Sequence, residues 1–127
     1  MKAIEVFEKY SNALEQGDLE SVFSMLSDDV KWNMGGNGPL SGTIIGKKSL
    51  ADCLGKFAEL SKGTFRVITN WAAENGDYVV ASVDSLAEKN GKNLKNPGVD
   101  LFRIENGKIQ EVWTFSQLQA EEDEFWR

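Results

Sequence analysis

Three helical stretches followed by four strand-like runs predict an α+β fold: three N-terminal helices packed on one face of a curved, mostly antiparallel sheet. Two observations carry this. Apolar side chains recur at three- and four-residue spacing in most of the first 61 residues and alternate from residue 64 onward. Short Gly-containing turns, Asn75-Gly76-Asp77, Asn90-Gly91 and Asn106-Gly107, then separate the alternating runs. The 127 residues fit a single domain, 1–127.

Residues 2 to 16 place Ile4, Val6, Phe7, Tyr10, Ala13 and Leu14 on one side of a helix that Gly17 ends. Asp18 is the expected N-cap of a second helix, "LESVFSML", with Leu19, Val22, Phe23 and Leu26 inward. "DDVKWNM" reads as a short strand and "GGNGPLSGTIIG" as a glycine-rich loop. Residues 47 to 61 form a third helix with Leu50, Cys53, Leu54, Phe57 and Leu60 inward. The strands are "TFRVITNWAAE", "YVVASVDSLAE", "GVDLFRI" and "KIQEVWTFSQ". The tail "AEEDEFWR" fits no element, although Phe125 and Trp126 suggest docking on the body or on a second subunit, with a frayed terminus as the alternative.

Composition excludes more than it indicates. With no histidine and one cysteine, the chain has no internal disulfide, no histidine-based triad and no thiolate-rich or histidine zinc site. No metal or cofactor is expected. A net charge of -6 argues against nucleic acid and anionic membrane as partners. No apolar run reaches the ~20 residues that span a bilayer, and the first ten residues lack a secretory pattern, so a cytoplasmic location is the default expectation. "GTIIGKKS" has three residues between its glycines where a phosphate-binding loop needs four, and it reads as a helix start. Cys53 lies on an apolar stripe and reads as a small buried hydrophobe.

One residue resists a structural explanation. In "GVDLFRI", Asp100 shares its strand face with Phe102 and Ile104, while Arg103 points the other way. A carboxylate on an apolar face is costly unless it is hydrogen-bonded or protonated. Asp84 falls with Val80, Ser82 and Leu86, where a sheet-surface aspartate is preferred over a base.

The segments "KYSNALEQGDLESVFSMLSDDVKW", "PLSG" and "VDLFRIENGKIQEVW" together resemble the ketosteroid isomerase and SnoaL-like superfamily. Its members share a cone-shaped, cystatin-like (nuclear-transport-factor-like) fold, and the similarity spans nearly the whole chain. The resemblance implies an apolar pocket, a small apolar or carbonyl-containing ligand and a homodimer formed through the sheet. Ketosteroid isomerases use a carboxylate base with a tyrosine and a neutral aspartic acid as hydrogen-bond donors to the enolate oxygen. Tyr10, seven residues before Gly17, matches the tyrosine, and Asp100, seven residues before Gly107, matches the aspartic acid. Trp32, Met34 and Phe102 are the expected pocket-lining residues. The base is missing: Met34 takes its place, and no Asp or Glu occurs from Trp32 to Gly46. That absence argues against steroid isomerisation and leaves three readings. The first is isomerase- or lyase-like handling of a small carbonyl compound with Tyr10 and Asp100 polarising the oxygen; the second is a non-catalytic ligand-binding module; the third is a dimeric assembly module with a vestigial pocket, joined through Trp113 and Phe115.

Overall fold

The computed structural model describes residues 1–127 as ten elements around one sheet. Helix α1 spans Ala3–Glu15 and α2 Leu19–Ser24; strands β1 (Leu26–Met34) and β2 (Gly42–Ile45) follow, then α3 (Lys47–Ser61). Strands β3 (Arg66–Asn75), β4 (Tyr78–Lys89), β5 (Lys92–Glu105) and β6 (Lys108–Ser116) form a meander, and α4 (Gln119–Phe125) closes the chain. The sheet order is β2-β1-β6-β5-β4-β3, antiparallel except where β1 runs parallel to β6. The predicted α+β class and single domain are therefore what the chain adopts.

Local chemistry explains most boundaries. Gly17, at φ 72°, leaves α1 in the left-handed region, and Asp18 caps α2 by accepting from the Ser21 backbone N–H at 3.2 Å. Helix α2 is shorter than expected, because Met25 is its C-cap and Leu26 already lies in β1, buried against the sheet. Leu19 is exposed rather than part of the inward stripe. The expected glycine-rich loop contains β2, whose Thr43, Ile44 and Ile45 are strand formers and pair with Asn33, Trp32 and Lys31. Strand β5 starts at Lys92, earlier than its apolar run implies, because Asn90 and Gly91 alone make the turn. No helix is long and apolar enough to cross a membrane.

The eight-residue tail that carried no assignment is the largest correction. Helix α4 lies across the open end of the sheet, with Trp126 buried against Phe57 and Phe65 at ring-centroid distances of 4.9 and 5.7 Å. Its seat is the glycine-rich stretch: Asn37 donates its backbone N–H to Asp123 Oδ2 at 2.8 Å, and Arg127 Nη2 donates to Asn37 O at 3.1 Å. A Cβ on Gly36 would collide with Gln119 and Asp123, and one on Gly38 would press on the Asp123 backbone. Gly36 and Gly38 therefore permit the close approach of a helix. On the opposite side, Lys89 Nζ donates to Phe125 O at 3.1 Å and also to Arg127 O.

Candidate functional site

The inner face of the sheet decides where polar groups meet. Asp100 on β5 sits opposite Ala81 on β4 and Thr114 on β6; two residues on, Phe102 sits opposite Val79 and Val112, and Val112 in turn pairs with Trp32 on β1. Helix α1 lays Phe7 and Tyr10 over this row. Phe102 thus becomes the hub of four rings, with centroids 5.0 Å from Phe7, 5.5 Å from Tyr10 and 6.3 Å from Trp32, each at a steep interplanar angle. A second aromatic group, Phe57, Phe65, Phe125 and Trp126, gathers where α3 and α4 meet.

Rings of both groups line one cavity of about 120 Å³. Tyr10, Trp32, Met34, Asp100 and Phe102, the residues singled out in the sequence, all line it. Asp84 does not; it accepts from Asn70 Nδ2 at 3.2 Å. Tyr10, Asp100 and Glu122 are the titratable side chains of the lining, and no lysine or arginine is among them.

Electrostatics follow from that lining. Burial, first, and the nearby Asp100 charge, second, push the Tyr10 hydroxyl well above the ordinary tyrosine range, so it stays a neutral donor. Burial, and then the Glu122 carboxylate, push Asp100 up to about 7. No hydrogen bond within the protein contributes to either shift. Two donors in an apolar space, one permanently protonated and one half-protonated at neutral pH, are therefore open to a ligand oxygen.

Glu122 was not legible as a site residue. It enters the cavity from α4, where Oε2 accepts from Asn96 Nδ2 at 2.6 Å and from Ser116 Oγ at 3.2 Å. Asn96, only 2 % exposed, also accepts the Leu118 backbone N–H at 3.0 Å, so one buried amide ties β5 to both the start and the middle of the strap. The available signal was the spacing of Leu118, Glu122, Phe125 and Trp126, which is that of a helix face.

The sequence pattern of the SnoaL-like domain matches residues 7–112, most of the chain. The protein belongs to the SnoaL-like domain family. Its resemblance to this superfamily, read from the "GDL", "DDV" and "NGKI" segments, is thereby shown. Among solved structures, this SnoaL-like chain is similar to a protein of unknown function with a cystatin-like fold from Xanthomonas campestris, at 40 % identity and a TM-score of 0.94, covering 99 % of this chain and 98 % of that one. It is also similar in fold to Bal32a from a soil-derived mobile gene cassette, at 21 % identity and a TM-score of 0.93, covering 98 % and 96 %. TerC, co-crystallised with polyporic acid, matches at 19 % identity and a TM-score of 0.84, covering 98 % of each chain. No curated protein matches the sequence. In this SnoaL-like protein the matched stretch stops before α4, so Glu122 and the strap lie outside the family pattern.

Proposed function

We propose that the cavity binds a small, neutral carbonyl or phenolic compound, whose oxygen takes hydrogen bonds from the Tyr10 hydroxyl and the neutral Asp100 carboxyl. The observation that carries this reading is the pairing of burial with vacancy of bonds: the Tyr10 side chain is 6 % exposed, and neither donor is engaged within the protein. Both groups face the cavity, where a ligand oxygen can accept from them. Size narrows the class, because an apolar cavity of about 150 Å³ admits benzene, and this one is similar. Charge narrows it further. With two carboxyl groups and no cation in the lining, an acid or phosphate is disfavoured. The co-crystal of TerC with polyporic acid supports a ligand-binding use of this fold.

Titration with 4-nitrophenol, followed by its absorbance, tests the reading. Asp100→Leu and Tyr10→Phe, which remove the donors outright, should each weaken binding about 5- to 30-fold, the value of one buried hydrogen bond of about 1–2 kcal/mol. Equal affinity of the two variants and the native protein would defeat the donor roles.

A homodimer through the sheet is a second reading, compatible with the first. Trp71, Val99 and Phe115, all exposed, fall in one row across the outer face, with Trp113 and Leu101 in the next. Such a row favours burial against another copy.

A further inference from the structure

We infer that Glu122, reaching the cavity from α4, is the proton acceptor that this chain lacks at Met34, so that the pocket can enolise a small neutral ketone. The inference rests on the ligand reading above and adds a base to it.

Three features support it. Glu122 lines the same cavity as Tyr10 and Asp100. Asn96 and Ser116 hold its Oε2, while Oε1 meets only Gln119 Nε2 at 3.4 Å, so the carboxylate is positioned and yet keeps lone pairs for a proton. Ser116 lies two residues along β6 from Thr114, the partner of Asp100, which puts the Glu122 anchor and Asp100 on diagonal strand positions roughly 7–8 Å apart. Base and donor thus line the same cavity from different elements, α4 and β5. A third polar group, the Tyr10 hydroxyl, lines the same cavity with no side-chain hydrogen bond of its own and points to a ligand independently of the two carboxyls.

The step balances without a co-reactant. Glu122 takes the proton from the carbon next to the ligand carbonyl; that C–H bond breaks, and its electron pair becomes the new C=C bond. The carbonyl oxygen gains the negative charge, where Tyr10 and neutral Asp100 donate hydrogen bonds. The proton now on Glu122 returns to the same carbon, or to the γ carbon of a β,γ-unsaturated ketone. Burial first, and the Glu122 charge second, raise Asp100, which favours its neutral form as the donor.

Cyclohexanone in D2O supplies the test, with α-proton exchange followed by NMR. The native protein should exceed buffer, and Glu122→Gln should lower its exchange rate about 10²-fold or more, with 4-nitrophenol affinity retained. Glu121→Gln, on the exposed side of α4, should exchange like the native protein. Ser116→Ala loosens the anchor but keeps the base, and should stay above Glu122→Gln. Native exchange no faster than buffer, exchange unchanged in Glu122→Gln, or equal loss in Glu122→Gln and Ser116→Ala would each overturn the inference. Loss of the Asp100 dependence of 4-nitrophenol binding would instead overturn the ligand reading.

Discussion

Replacing Asp100 by Asn should stabilise the protein, and the gain should depend on pH in a specified direction. The native carboxyl is raised from 3.8 to about 7. A raised folded-state value means that the extra stability of the neutral form is fully present below about pH 4 and is lost as pH rises through 7. The full difference, about three units at 1.36 kcal/mol each, is about 4 kcal/mol. Water entering the cavity reduces it, so about 2 kcal/mol is the working value at pH 8. Asn has the same shape, carries no charge, and orphans no protein partner, because none engages Asp100. For a domain of this size a gain of about 2 kcal/mol raises Tm by roughly 5–10 °C. Thermal unfolding followed by circular dichroism at pH 4 and pH 8 reads the effect. Asp100→Asn should melt above the native protein at pH 8 and near it at pH 4. A variant that melts lower at pH 8, or a difference that does not change with pH, would refute the desolvated-carboxyl reasoning.

Other substitutions separate the strap, the sheet and the outer face. Gly98→Ala should cost about 1–3 kcal/mol, measured by urea unfolding, because its Cβ would lie 2.6 Å from the Phe115 carbonyl oxygen and β5 must part from β6. Gly36→Ala should also cost about 1–2 kcal/mol, because its φ of 86° strains any side chain, and should speed amide exchange across residues 119–126. Phe115→Glu should yield a monomer by sedimentation velocity at micromolar concentration, where the native chain should sediment as a dimer; a native monomer would remove the assembly reading. Binding of phenol, which stays neutral from pH 6 to 8, should weaken over that range, because Asp100 loses its proton across about 7 and can no longer donate to the ligand oxygen. Affinity that is constant over this range would count against the donor.

The helices and the meander were readable because their signals are local: the 3.6-residue stripe of α1, the Asp18 cap and the Asn-Gly turns act within a few residues. Asp100 was readable for a different reason, since its face partners follow from strand alternation alone. Strand β2 was obscured by Gly42 and Gly46 at its ends, and its pairing with β1 is a contact that spacing cannot show. Glu122 was hidden most deeply. An acidic tail looks solvated in one dimension, and only the buried Asn96 amide, 26 residues upstream, gives one of its carboxylates a reason to turn inward.

The four tryptophans divide evenly between two places. Trp32 and Trp126 line the cavity, whereas Trp71 and Trp113 alternate onto the outer face of the sheet. Substituting Phe for the outer pair would leave a chain whose emission comes from the cavity alone, and the reverse pair would report only on the sheet surface. The fold thus carries two separate optical probes, and occupancy of the interior can be followed without a label and without interference from self-association.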